Sequence, residues 1–174
     1  MQRTDEPGVL ARIEGGGLVS SGSRTVAAVA FALTMLGSLL TPAGARAVDP
    51  INSTTFGNLA IKGYDPIAYF DDGKPAKGDK KHTVEWMGAT WRFTTVERRD
   101  RFAEDPERYA PQYGGYCAWA VSQGYTASID PQAWQIVDGK LYLNYSLKVR
   151  EQWSEDIPGN IERADANWPR LLTE

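Results

Sequence analysis

The sequence predicts an α+β domain, two β-hairpins packed against several short helices. Three observations predict it. Two short β-prone runs flank Gly88, and two more flank Asp138-Gly139, a dipeptide suited to a two-residue hairpin turn. Hydroxyl and amide residues that can cap helices stand at Thr94, Ser146 and Asn160. All six Trp, all eight Tyr and four of the five Phe fall after residue 47, so large side chains can fill a core without disulfides.

The elements follow in order. Residues 1–47 read as an address rather than as fold. An uncharged run, residues 25–40 (TVAAVAFALTMLGSLL), follows Arg24 and precedes Ala45-Arg46-Ala47. A basic flank, a short apolar stretch and small residues at a cut define a secretory signal peptide. A membrane-spanning helix needs about 20 apolar residues, more than this run offers. Residues 48–174 are then one domain with a single core. The reading predicts an exported protein, periplasmic or secreted, that meets a membrane only through an uncleaved signal segment.

Residues 58–70 (NLAIKGYDPIAYF) read as an extended lead-in, a turn at Asp65-Pro66 and a short apolar stretch. Residues 71–81 form a polar loop. Residues 83–87 and 89–93 form the first hairpin, with Val84, Trp86, Trp91 and Phe93 suited to one buried face. Thr94 opens a helix through a capping box with Glu97, and Asp105-Pro106 closes it. On that helix Arg98, Arg99 and Arg101 alternate with Glu97, Asp100 and Glu104 and read as a solvated face. Gly114-Gly115 precedes a compact apolar run, residues 116–121, of one or two helical turns. Residues 133–137 and 140–144 form the second hairpin. Ser146 caps a helix to about residue 155, Ile157-Pro158-Gly159 breaks it, and Asn160 caps a last helix that Pro169 stops.

Several function classes are excluded for this chain. One cysteine permits no internal disulfide and no Cys₄ or Cys₂His₂ zinc site. One histidine permits no two-histidine metal site and no H-E-x-x-H motif. A net charge of -3 gives no electrostatic reason to bind nucleic acid. No phosphate-binding loop, nucleophile elbow or dinucleotide fingerprint is present.

The stretches GYDPIAYFDDGKPAKG, KHT before VEWMGATWRF, and DPERYAPQYGGYCAWAVSQG resemble the YHS-domain family, closest to its secreted bacterial branch. So do residues 130–145 and 157–169. The resemblance spans nearly all of residues 48–174 and implies the α+β scaffold. The family's short form opens on D-P-V-C-G-M, turns into its helix through F-C-S-x-x-C, and is linked to metal handling. This sequence has Ala68, Thr94 and Arg98 where those cysteines belong, and keeps the K-H-S element as Lys81-His82-Thr83.

Candidate chemistry gathers in two sets. Cys117 can act as a thiolate ligand for copper or iron or as a redox thiol; a buried thiol would instead pack as a small hydrophobe. His82, at the end of a lysine-rich loop, is its possible partner donor, and a Cys–His pair is also the minimum for a thiol enzyme. Tyr64, Asp65, Tyr69, Tyr113, Tyr116 and Tyr125 cluster around glycine-rich turns, and Trp119 follows Cys117. Such residues can line a small-ligand pocket, while Asp65 before Pro66 also suits a simple turn. The chain therefore reads as a binding module of the cell envelope rather than an enzyme. Its partner is a metal ion, copper or iron, held by Cys117 and His82, or an apolar or sugar-like ligand held by Tyr64, Asp65, Tyr69, Tyr113, Tyr116 and Trp119. A thiol-dependent enzyme is the third alternative.

Overall fold

The computed structural model describes residues 47–174, and the signal-peptide reading of residues 1–47 lies, but for its last residue, outside them. The architecture is α+β, as the patterning predicts: two separate two-stranded antiparallel sheets among short helices. Strands β1 (Asp79–Trp86) and β2 (Ala89–Phe93) form the first hairpin; β3 (Asp130–Val137) and β4 (Lys140–Asn144) form the second. Helix α1 (Pro66–Asp71) precedes the first hairpin. Helices α2 (Val96–Glu104), α3 (Pro106–Tyr109) and α4 (Ala118–Ser122) lie between the hairpins. Helices α5 (Leu147–Ser154) and α6 (Ile157–Leu171) follow. Among the described residues no helix is long and apolar enough to cross a membrane.

Both hairpins turn on two residues with positive φ, Met87-Gly88 at +48° and +76° and Asp138-Gly139 at +51° and +74°. That conformation matches the right-handed twist of the flanking strands. The first hairpin buries Trp91 and Phe93 against Phe102 of α2, with ring centroids 5.0 and 5.1 Å away. Trp86 closes the cluster edge-on, 5.8 Å from Phe102. The second hairpin sits centrally. Leu141 and Leu143 of β4 enter the core that holds Trp91, while Tyr142 enters a second cluster with Trp153 of α5 and Ala164 of α6. A strand buried on both faces tolerates no register slip, because a shift of one residue exchanges the two sets.

Several local expectations are corrected. The apolar stretch after Asp65 is helical, because Asp65 caps it by accepting from Ile67 N and Pro66 takes a first-turn position that needs no N–H. The cap of α2 is Thr95, which accepts from Arg98 N; Thr94 is drawn instead to Asp65. Arg98 is not a solvated arginine. Its side chain is only 15% exposed and reaches Asp65, Asp71 and Asp72. Pro158 and Gly159 start the last helix rather than interrupt it, since Asp156 caps it through Gly159 N. Pro169 lies inside that helix, and Asn160 is a buried side chain bonded to the Trp153 carbonyl.

Two left-handed turns anchor the chain before β1. Ile61 and Lys62 have φ of +41° and +58°, and Tyr113, Gly114 and Gly115 have +55°, +59° and +78°. Asn52 joins them. It accepts from Ile61 N, donates its own N–H to the Gly114 carbonyl at 2.8 Å, and donates Nδ2 to the Gly115 carbonyl at 2.9 Å.

Candidate functional site

The expected site residues separate into three places. Tyr64, Asp65 and Tyr69 stand around α1. Asp65 is fully buried, and its Oδ2 accepts from Thr94 N at 2.9 Å, Thr94 Oγ1 at 2.7 Å and Arg98 Nη1 at 3.4 Å. Its carboxylate therefore serves the fold and offers no face to a ligand. Tyr69 is buried too, donating to the Pro131 carbonyl at 3.1 Å and meeting Trp134 edge-on. Tyr64 is half-buried beneath the Lys77 ammonium.

Tyr113 and Tyr116 form the second group, packed on Trp168 of α6. The Tyr113 hydroxyl donates to Asp165 Oδ1 at 2.9 Å. Burial, then that carboxylate, push its pKa upward, so it is a fixed donor and not a free acid. Neither tyrosine lines the cavity described next.

Cys117 and Trp119 belong to the third place. Cys117 is the N-cap of α4, and its main chain is held between Leu143 of β4 and the Ala127 carbonyl. With Trp119, Ala120, Tyr125, Ala127, Tyr145 and Val149 it lines an open cavity of about 220 Å³. Trp119 and Tyr125 meet edge-on across 6.4 Å. No charged side chain is among the lining residues. The rim is unusually apolar for surface. Tyr125 and Tyr145 are 49% and 59% exposed. These are two of the six large exposed apolar side chains among the described residues.

Cys117 itself is 1% exposed, and its thiol lies 3.7 Å from Asn144 Oδ1, to which it donates. The Trp119 N–H donates to the same oxygen at 3.2 Å, which fixes the orientation of the amide. The Asn144 Nδ2 is then left without a partner among the described residues. Burial raises the thiol pKa, against backbone N–H groups of Ala120, Tyr145 and Trp119 that favour the thiolate. The protonated form dominates at neutral pH. Native Cys117 is expected to react with iodoacetamide about tenfold or more slowly than in the urea-unfolded chain at about pH 8. The native rate should climb only above the ordinary thiol range. Equal rates in the two states would place the thiol on open surface and contradict the geometry.

His82 is not in a loop. It lies on β1, half-buried, at the bulge between Asp79 and Thr83. Its charged neighbours are Asp79 and Glu97, whose pKa values it helps to lower. The donors do not fit a copper or iron ion. The thiol faces an amide oxygen and backbone N–H groups, whereas soft ions want further thiolates or imidazoles. Among the described residues no three His, Cys, Asp or Glu side chains converge on one point.

Ala127, Tyr145 and Val149 are lining residues that sequence reasoning misses, as is Ala120 beside Trp119. The first three come from a loop, a strand end and a helix, and only the fold brings them together. Tyr145 carried one usable signal, a large aromatic between a strand and the Ser146 cap, where a side chain is left exposed. Compared with known proteins, the chain matches no family model, no curated protein and no solved structure.

Proposed function

We propose that this protein is an exported, non-catalytic binding module with a YHS-type scaffold, and that its ligand is a small neutral ring held in the Cys117 cavity. The observation that carries this reading is the pair of exposed aromatic side chains, Tyr125 and Tyr145, on the rim of one uncharged concavity. Isolated exposed hydrophobes are ordinary; a cluster around a hollow marks a binding surface. The volume sets the ligand's size. An apolar cavity of about 150 Å³ already takes benzene, and drug-sized ligands need about 300 Å³ or more. A cavity of about 220 Å³ suits one ring with a small substituent. Aromatic walls favour a flat ring, and the absence of lining charge favours a neutral one.

The YHS-type scaffold in this proposal rests on the sequence resemblance. Thr94 and Arg98, which stand where the YHS resemblance expects two cysteines, both bond to the Asp65 carboxylate. Ala68, at the third such position, bonds to the Asp65 carbonyl. In this chain those three positions are tied to Asp65 by hydrogen bonds and an ion pair.

The test is a titration with indole or 4-methylphenol in buffer containing a metal chelator. Saturable binding is expected, and Val149→Trp, which fills the cavity, should weaken it about tenfold or more. Binding that requires added copper or iron, or that survives Val149→Trp unchanged, would reject this reading.

A further inference from the structure

On the outer face of the first hairpin, Arg92 of β2 stands opposite Thr83 of β1. The Arg92 stem runs against two glycines. A Cβ on Gly63 would lie 3.6 Å from Arg92 Cδ and 4.0 Å from Nη1, and one on Gly78 would collide with the Arg92 Cβ and main chain. The guanidinium is thus held in a trough that larger residues would close.

No ion pair among the described residues involves it. Its Nε is buried and finds no acceptor among the described residues. The ion pairs of the described residues belong to Arg98, Arg99, Arg101 and Arg163. The two nearest acids by register are already engaged. Glu85, on the same face, accepts from Thr90 Oγ1 at 2.6 Å, and Asp79 accepts from Lys81 N at 2.9 Å. A buried arginine donor without an acceptor is costly, and a bound ion is one arrangement that would satisfy it.

Two more cations flank the same glycine. The Lys77 ammonium lies 4.5 Å from the centroid of the Tyr64 ring and donates to the Lys62 carbonyl at 2.7 Å, immediately before Gly63. Lys62 is exposed and held in the left-handed region. Lys77 and Arg92 are therefore already ordered, one by a ring and a carbonyl, the other by a glycine trough. Ordering that precedes binding lowers its entropic cost.

We propose that Arg92, Lys77 and Lys62 form a binding site for a phosphate group. The guanidinium fork would supply paired N–H donors that match two phosphate oxygens, and the ammonium groups would supply charge. The site is independent of the Cys117 cavity, so either can fail alone.

Proton–nitrogen correlation spectra of the full chain, titrated with inorganic phosphate and with chloride at matched ionic strength, test it. Saturable shifts of the Arg92 Nε–H and of the Gly63 and Gly78 amides are expected with phosphate alone. Arg92→Gln should weaken binding about tenfold and Lys77→Gln about threefold. Lys77 is exposed, so that variant keeps the test open should Arg92→Gln not fold. Vesicles of phosphatidylglycerol separate the sources. Broadening of the whole spectrum by vesicles, lost in Lys77→Gln, assigns a lipid headgroup, while free phosphate binding without vesicle attachment assigns a soluble phosphate. Shifts that stay linear, that chloride reproduces, or that persist undiminished in Lys77→Gln overturn the proposal.

Discussion

Replacing Asp65 by alanine is expected to cost about 3–5 kcal/mol of stability, the usual penalty for breaking a buried ion pair from one side. The carboxylate is fully buried and ties three elements together: the first turn of α1, the end of β2 and the start of α2. Alanine would orphan Ile67 N and Thr94 N and leave the Thr94 hydroxyl proton without its acceptor. It would also leave Arg98, 15% exposed, to rely on Asp71 and Asp72. Asparagine is an equally good helix cap and keeps an acceptor, so Asp65→Asn should lose roughly half as much. Urea denaturation followed by far-UV circular dichroism measures both. A loss below about 1 kcal/mol for alanine would mean that the network is solvated and contributes little.

Gly114→Val should be comparably severe, at about 3–5 kcal/mol, for a different reason. Gly114 has φ of +59°, a region that β-branched residues enter only under strain. A Cβ there would stand 1.9 Å from the Pro50 carbonyl oxygen and 2.9 Å from its carbon. The contact is backbone, so no rotamer relieves it. Residues 50–52 would have to move off, losing the Asn52 bonds to Gly114 and Gly115. The midpoint of urea unfolding is expected to fall with the slope unchanged, since the same surface is exposed on unfolding. Gly139→Val is the control, for its φ is also positive but its Cβ would meet nothing. Equal losses in the two variants would show that turn strain alone, without the Pro50 contact, accounts for the cost.

Such differences explain what could be read from the residues alone. Hairpin turns and the Ser146 cap are set by neighbours in sequence, so Asp138-Gly139 and Ser146 announce themselves. The cap of α2 does not. Thr94 and Thr95 are equally good locally, and a carboxylate 29 positions away decides between them by claiming Thr94. Arg98 misleads for the same reason, because its helix shows interleaved charges while its partners lie on and beside α1. The candidate site divides likewise. Cys117 and Trp119 are legible as an odd apolar run beside glycines. Ala127, Tyr145 and Val149 are ordinary residues until three segments converge. Tyr69 and Tyr113 suggest a pocket by composition, yet each hydroxyl is used to brace a distant segment.

The most direct measurement of the binding reading is the position of the ring itself. Intermolecular nuclear Overhauser effects from 4-methylphenol, recorded with a chelator present, should reach the Val149 methyls, the Ala127 methyl and the ring protons of Trp119 and Tyr125. Contacts that fall instead on Met87 or Phe56, or that appear only after copper or iron is added, would contradict it.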